Sequence, residues 1–291
     1  NAMEKIGMQK DEAAVDVVRK YATNGREAVN MVQLAAGLAM SENRSQLTAE
    51  DVEWVVHSSQ LSPRPERKVP DEPRVGQVNG LAVYGPNMGA LMEIEVTAIK
   101  ASRAGEGTLN VTGAVDEEEM GGGSKTLRRK SMARSSAENV LTVLRKLGFP
   151  VRDYDIHINF PGGVPMDGPS AGIAIASAVV SAMLDIPADN LTAMTGEVSI
   201  QGKVKPVGGI VAKVEAALHA GAARVIIPRE NWQQMFSRWE GIEIVPVDTV
   251  EEALRLVLGA DAIPSAAWKQ AQLRTGQQSV SLFSANQALE T

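Results

Sequence analysis

Apolar residues recur at helical spacing three times at the front of the chain. The stretches "KDEAAVDVVRKYA" (10–22) and "GREAVNMVQLAAGLAM" (25–40) each carry one apolar stripe, and Asn24-Gly25 breaks the pattern between them. In "TAEDVEWVVH" (48–57), Thr48 and Asp51 stand at the spacing of a capping box, so a third helix opens there. These helices predict a small bundle over 1–62. Proline cannot continue a helix, and four prolines crowd among charges in "SPRPERKVPDEPR" (62–74). An extended linker over 63–74 follows.

From Val75 the period shortens. "GQVNGLAVYG", "ALMEIEVTAI" and "GTLNVTGAV" read as strands separated by glycine-rich turns. "SSAENVLTVLRKLG" (135–148) reads as a helix with Ser135 or Ser136 as its N-cap. Strands and helices then alternate through "YDIHINF", the apolar run from Ala171 to Leu184, "LTAMTGEVSI", "AKVEAALHAG", "RVIIP", a short helix, "IEIVPV" and "TVEEALRLVLG". That order predicts one α/β domain over 75–260. The Gln- and Ser-rich tail, 261–291, has little periodicity and is expected to be loosely attached.

Composition narrows the chemistry. The 291 residues are long enough for about two domains, and a formal net charge of −6 argues against a broad nucleic-acid footprint. With no cysteine, thiol nucleophiles, disulfides and thiolate metal sites are excluded. That composition fits a reducing, cytoplasmic setting. Ala171 to Leu184 falls short of the roughly 20 residues of a membrane span. The opening Asn-Ala-Met, with Met3 as a natural start, looks like an expression remnant, so a membrane tether further upstream stays open.

Several suggestive features lead nowhere. "GGGSKT" (121–126) departs from a phosphate-binding loop because Ser124 separates glycine from lysine and the acidic run 116–119 precedes it; it reads as a mobile surface loop. His57, His157 and His219 are too scattered for a zinc site, and no metal is expected. His157 reads as structural, and Asp167 with Glu197 cannot be taken for a glycosidase pair on spacing alone.

The informative stretch is "MDGPSAGIAIASAVVSAML" (166–184). Taken alone, Pro169 and Ser170 before a helix are what capping would produce. A serine there would also sit near free backbone N–H groups and the positive end of the helix dipole, which suits acyl transfer. It needs a base, and no histidine is convincing. Lys213, among small and apolar residues in "VGGIVAKVEAALHAG", becomes one if burial disfavours its ammonium form. Otherwise it is a surface lysine.

The set "DGPSAG", "AMTGEVSIQGKVKPVGGI" and Lys213 resembles the proteolytic domain of Lon proteases over most of 75–260. The resemblance implies an α/β fold related to domain 2 of ribosomal protein S5, preceded by a small α-helical bundle. It also implies a serine endopeptidase with Ser170 as nucleophile, Lys213 as general base and Thr195 orienting the lysine. Asp167, Gly168 and Pro169 match the segment that shapes the site, Glu95 a glutamate near the cleft, and "GQVNGLAVYG" the B-type branch. "NGREAVNMVQLAAGLA" resembles the end of the AAA+ small helical subdomain, with Arg26 matching a nucleotide sensor.

No Walker A sequence is present. The chain is therefore expected to need no cofactor itself, while ATP and Mg are implied for a full-length protein. Implied partners are unfolded polypeptides and further copies in a hexamer, with no nucleic acid required. Two features depart from the family. Met166 stands where many relatives have lysine, and the stretch 116–130 is an insertion that bears on substrate access. The contrasting reading, an S5-like binding or scaffold module without catalysis, is disfavoured by the acidic balance and the Ser-Thr-Lys set.

Overall fold

The computed structural model describes residues 8–9, 11–22, 25–61, 68–84, 88–113, 132–161 and 169–262. The "GGGSKT" loop, the 116–130 insertion, Met166, Asp167, Gly168 and most of the tail lie outside them. Contacts divide the chain into two units, Asn1–Glu66 and Arg67–Thr291.

In the first unit, α1 (Glu12–Tyr21), α2 (Gly25–Ser41) and α3 (Ala49–Ser58) share one core. Alanines 35, 36 and 39 are buried on α2, so side-chain bulk does not hold the helices apart. Asp51 accepts from the Thr48 N–H at 2.9 Å and hydroxyl at 3.0 Å, which fixes the start of α3. Arg44 grips the same carboxylate at 2.6 and 2.8 Å. The arginine and, after it, the Thr48 bonds lower the pKa of this buried acid to about 2.

The second unit is built on a seven-stranded sheet, order β3-β4-β2-β1-β5-β8-β9. Its strands are β1 (Gln77–Tyr84), β2 (Met88–Lys100), β3 (Leu109–Thr112), β4 (Tyr154–Asn159), β5 (Thr192–Met194), β8 (Arg224–Pro228) and β9 (Glu243–Val247). The β1–β2 and β2–β4 pairs are antiparallel, and β1–β5, β5–β8, β8–β9 and β3–β4 are parallel. β6 (Glu197–Val198) and β7 (Val204–Lys205) form a separate small hairpin.

Alternation along the strands supplies both faces of the sheet. Ile226 and Met194 join the core of α4 (Met132–Leu147), α5 (Gly172–Leu184) and α7 (Val250–Leu258). Ala193, Val225 and Ile227 join the core of α6 (Ile210–His219) on the other side. "VII" in β8 is apolar throughout because both its faces are covered.

Two expectations change. α4 already includes Met132, so Ser135 and Ser136 lie inside the helix, and Ser136 is buried there. The proline-rich stretch expected as a linker is docked from Val69 onward. The Val69 N–H donates to Ala220 O at 3.0 Å, and Arg74 O accepts from the Ala188 N–H at 2.9 Å. An apolar side chain and free backbone groups were enough to tie this stretch to the sheet unit despite its prolines.

Candidate active site

The site lies at the carboxyl end of β5, where strand pairing stops and the chain passes between helices on opposite faces of the sheet. Sequence periodicity makes one strand of "LTAMTGEVSI", but the structure splits it at Thr195-Gly196. Those two residues organise everything near Ser170. The Gly196 N–H donates to Ser170 O at 2.8 Å, Gly196 O accepts from the Ile173 N–H at 3.2 Å, and the Thr195 hydroxyl donates to Ser170 O at 3.2 Å.

Ser170 is half-buried in the turn ahead of α5. The residue at the N-cap is Ala171, with no side-chain cap bond, so capping does not account for the serine. The described hydrogen bonds of Ser170 run through its carbonyl. This turn can approach the β6 backbone because Gly172 has no side chain; a Cβ there would stand 2.7 Å from Val198 N.

Lys213 reaches the same place from the other face. Its neighbours Ile210, Val214 and Ala217 are buried as the apolar pattern predicts, and Lys213 itself is only 3% exposed. Its Nζ donates to Thr195 Oγ1 at 3.1 Å. The hydroxyl has a single hydrogen, directed at Ser170 O, so toward the amine it can only accept. Thr195 therefore fixes the amine without occupying its lone pair.

The backbone carrying Lys213 is itself held closely. A Cβ on Gly89 of β2 would lie 1.9 Å from Ala212 O, so only glycine lets α6 pack at this depth. The Asn231 side chain accepts from the Val207 N–H at 2.7 Å and donates to Val207 O at 3.0 Å, anchoring the loop that enters α6.

The family model of the Lon protease (S16) C-terminal proteolytic domain matches residues 46–260. The chain belongs to the Lon protease family. It is 55% identical to Lon protease 2 of Bacillus subtilis over 257 residues, which are 88% of this chain and 46% of that protein. It is 34% identical to the archaeal Lon protease of Thermoplasma volcanium over 259 residues, 80% of this chain and 37% of that one. For Thermococcus kodakarensis the archaeal Lon protease is 36% identical over 189 residues, 63% and 28% of the respective chains. The chain thus spans less than half the length of these Lon proteases.

Of the residues that the Lon resemblance singles out, the structure brings Ser170, Thr195 and Lys213 together. Pro169 lies half-buried in the same turn, its carbonyl accepting from the Gly172 N–H at 3.2 Å. Asp167 and Gly168 lie outside the described residues. Arg26 is exposed near the start of α2, in the other unit. Glu95 is exposed and accepts from Asn159 Nδ2 at 3.1 Å, while His157 sits 2.9 Å from the Thr112 hydroxyl on the exposed part of β4. Sequence reasoning missed Gly89 and Asn231; Asn231 lies three residues after the β8 run, where only a short helix was expected.

Proposed function

We propose that this chain is the proteolytic part of an ATP-dependent Lon-type protease and acts as a serine endopeptidase on extended, unfolded polypeptide. Ser170 Oγ attacks the peptide carbonyl while the Lys213 amine takes its proton. The resulting ammonium delivers a proton to the departing amine, and water, deprotonated by the same lysine, releases the acyl group from Ser170. The observation that carries this reading is a buried lysine amine hydrogen-bonded to Thr195, whose hydroxyl also holds the main chain of Ser170. Burial removes water from the amine and weighs against its charged form, as a base requires.

The oxyanion would be met by the amides of Ser170 and Ala171. Those of Gly172 and Ile173 are already directed to Pro169 O and Gly196 O. In a full-length protein, the preceding helices with Arg26 would end the AAA+ small subdomain, a hexamer would enclose the site, and ATP with Mg would drive delivery of substrate. Asp167 and Gly168 would shape the serine loop.

The test is cleavage of unfolded casein by Ser170→Ala and Lys213→Ala, with circular dichroism to verify the fold. Each variant is expected to lose about a thousandfold or more in rate, and a serine-directed fluorophosphonate should label Ser170 in the parent. Cleavage near the parental rate in either folded variant would remove the dyad.

A further inference from the structure

A cavity of about 360 Å³, lined by none of the residues of the Ser170 site, lies between α4 and the loop entering the edge strand β3. We propose that it is a docking groove for an extended acidic polypeptide segment, separate from the Ser170 site. The naming of that segment as protease substrate rests on the function proposed above, but binding itself does not require Ser170.

Arg134, Glu138, Leu141 and Arg145 repeat along one side of α4 and line the groove, with Arg152 and Leu109 opposite. Among the described residues, neither Arg145 nor Arg152 forms an ion pair. Arg134 meets Glu138 at 3.4 Å with both side chains well exposed, an arrangement worth little in water. Thr108, also in the wall, already donates its hydroxyl to Asp155 at 2.7 Å. The guanidinium groups are therefore the donors available to a ligand.

Spacing selects the kind of anion. Arg134 and Arg145 are separated by three turns, about 16 Å along the helix axis. A single phosphate cannot reach both. An extended peptide advances about 3.3 Å per residue, so acidic side chains four residues apart, on one face of the strand, span about 13 Å and come within reach of long arginine side chains. Between them, Leu141 and Leu109 offer an apolar surface. The fitting segment has an acid, an apolar residue two positions later and a second acid two positions after that. A continuous polyanion such as nucleic acid would also meet the apolar Leu141 and Leu109 between the arginines, on a chain of net charge −6.

The test uses the whole chain carrying Ser170→Ala, so that the probe stays uncut, and a rhodamine-labelled peptide Gly-Ser-Glu-Ser-Leu-Ser-Glu-Ser-Gly followed by fluorescence anisotropy at low salt. Binding is expected, weakened about tenfold or more by Arg145→Ala with Arg152→Ala, and equally by replacing both glutamates of the peptide with glutamine. Absence of binding, equal affinity in the double variant, or equal affinity for the glutamine peptide overturns the site. Tighter, arginine-dependent binding of oligo-dT would assign the groove to nucleic acid and overturn it too. If the peptide binds as expected while fluorophosphonate fails to label the parent at Ser170, the groove stands and the proteolytic reading falls.

Discussion

Replacing Thr195 by valine tests the centre of the site with almost no change of shape. The threonine is fully buried, so neither residue touches substrate. Valine removes the acceptor that Lys213 Nζ meets at 3.1 Å and the donor that Ser170 O meets at 3.2 Å. The Ser170 carbonyl keeps its 2.8 Å bond from Gly196 N–H, so the larger penalty falls on the amine. A buried polar group stripped of a partner costs about 1–3 kcal/mol. If about 2 kcal/mol of that separates the reactive arrangement from the relaxed one, kcat falls roughly thirtyfold. KM should stay near its parental value, and Thr195→Ser, which restores the oxygen, should recover most of the rate. Initial rates of casein or peptide cleavage over a range of substrate concentrations separate kcat from KM, and thermal melting should show a fall of only a few degrees. A folded Thr195→Val protein with kcat within about twofold of the parent, alongside an inactive Ser170→Ala, would show that the hydroxyl does not position the lysine.

Gly89→Ala should shift α6, because the new methyl carbon would fall 1.9 Å from Ala212 O; a displacement near 1 Å at Lys213 is expected to slow cleavage and fluorophosphonate labelling by about a hundredfold. Asn231→Ala removes both bonds to Val207 and should lower stability by about 1–2 kcal/mol and kcat by about tenfold, with Asn231→Asp, which keeps the acceptor, in between; melting curves and initial rates check this. Folding lowers the Asp51 carboxyl to a pKa of about 2, so its contribution to the helical unit is complete above about pH 4 and disappears as pH falls towards 2. The loss, about 2 kcal/mol, should appear as accelerated hydrogen exchange in α1–α3 over that window and be smaller in an Arg44→Met variant, which starts destabilised and keeps only the Thr48 bonds.

The fold was legible wherever burial is one-sided or continuous. The apolar runs of β8 and α5 and the stripe of α4 carry their own periods, and each forms the expected element. Boundaries were harder to read. Ser135 and Ser136 look like a cap because local chemistry favours serine there, but Met132 and Ala133 extend the helix and Ala133 is buried against the core. The stretch from Val69 to Arg74 looks like free linker because proline and charge dominate it. It is held instead by backbone hydrogen bonds, for which any residue with the right path qualifies, and such bonds leave no mark in composition.

At the candidate site, the residues proposed to carry the chemistry were legible and those that hold them in place were not. Ser170, Thr195 and Lys213 stand in motifs, so their types announce them. Their approach depends on a break in pairing after Met194, which turns Thr195 and Gly196 toward the serine turn, and on Gly89 admitting α6 close to β2. Neither is a local property: a glycine in a strand signals close approach of something without naming it, and Asn231 reads as an ordinary residue of a short helix until its partner across the loop is known. Lys213 shows the same division from the other side. Its apolar neighbours made burial a reasonable expectation, but whether Thr195 leaves the lone pair of that amine open depends on the direction of one hydroxyl hydrogen. That direction follows from the Ser170 carbonyl standing 3.2 Å away, since a proton given to that carbonyl cannot also be given to the amine.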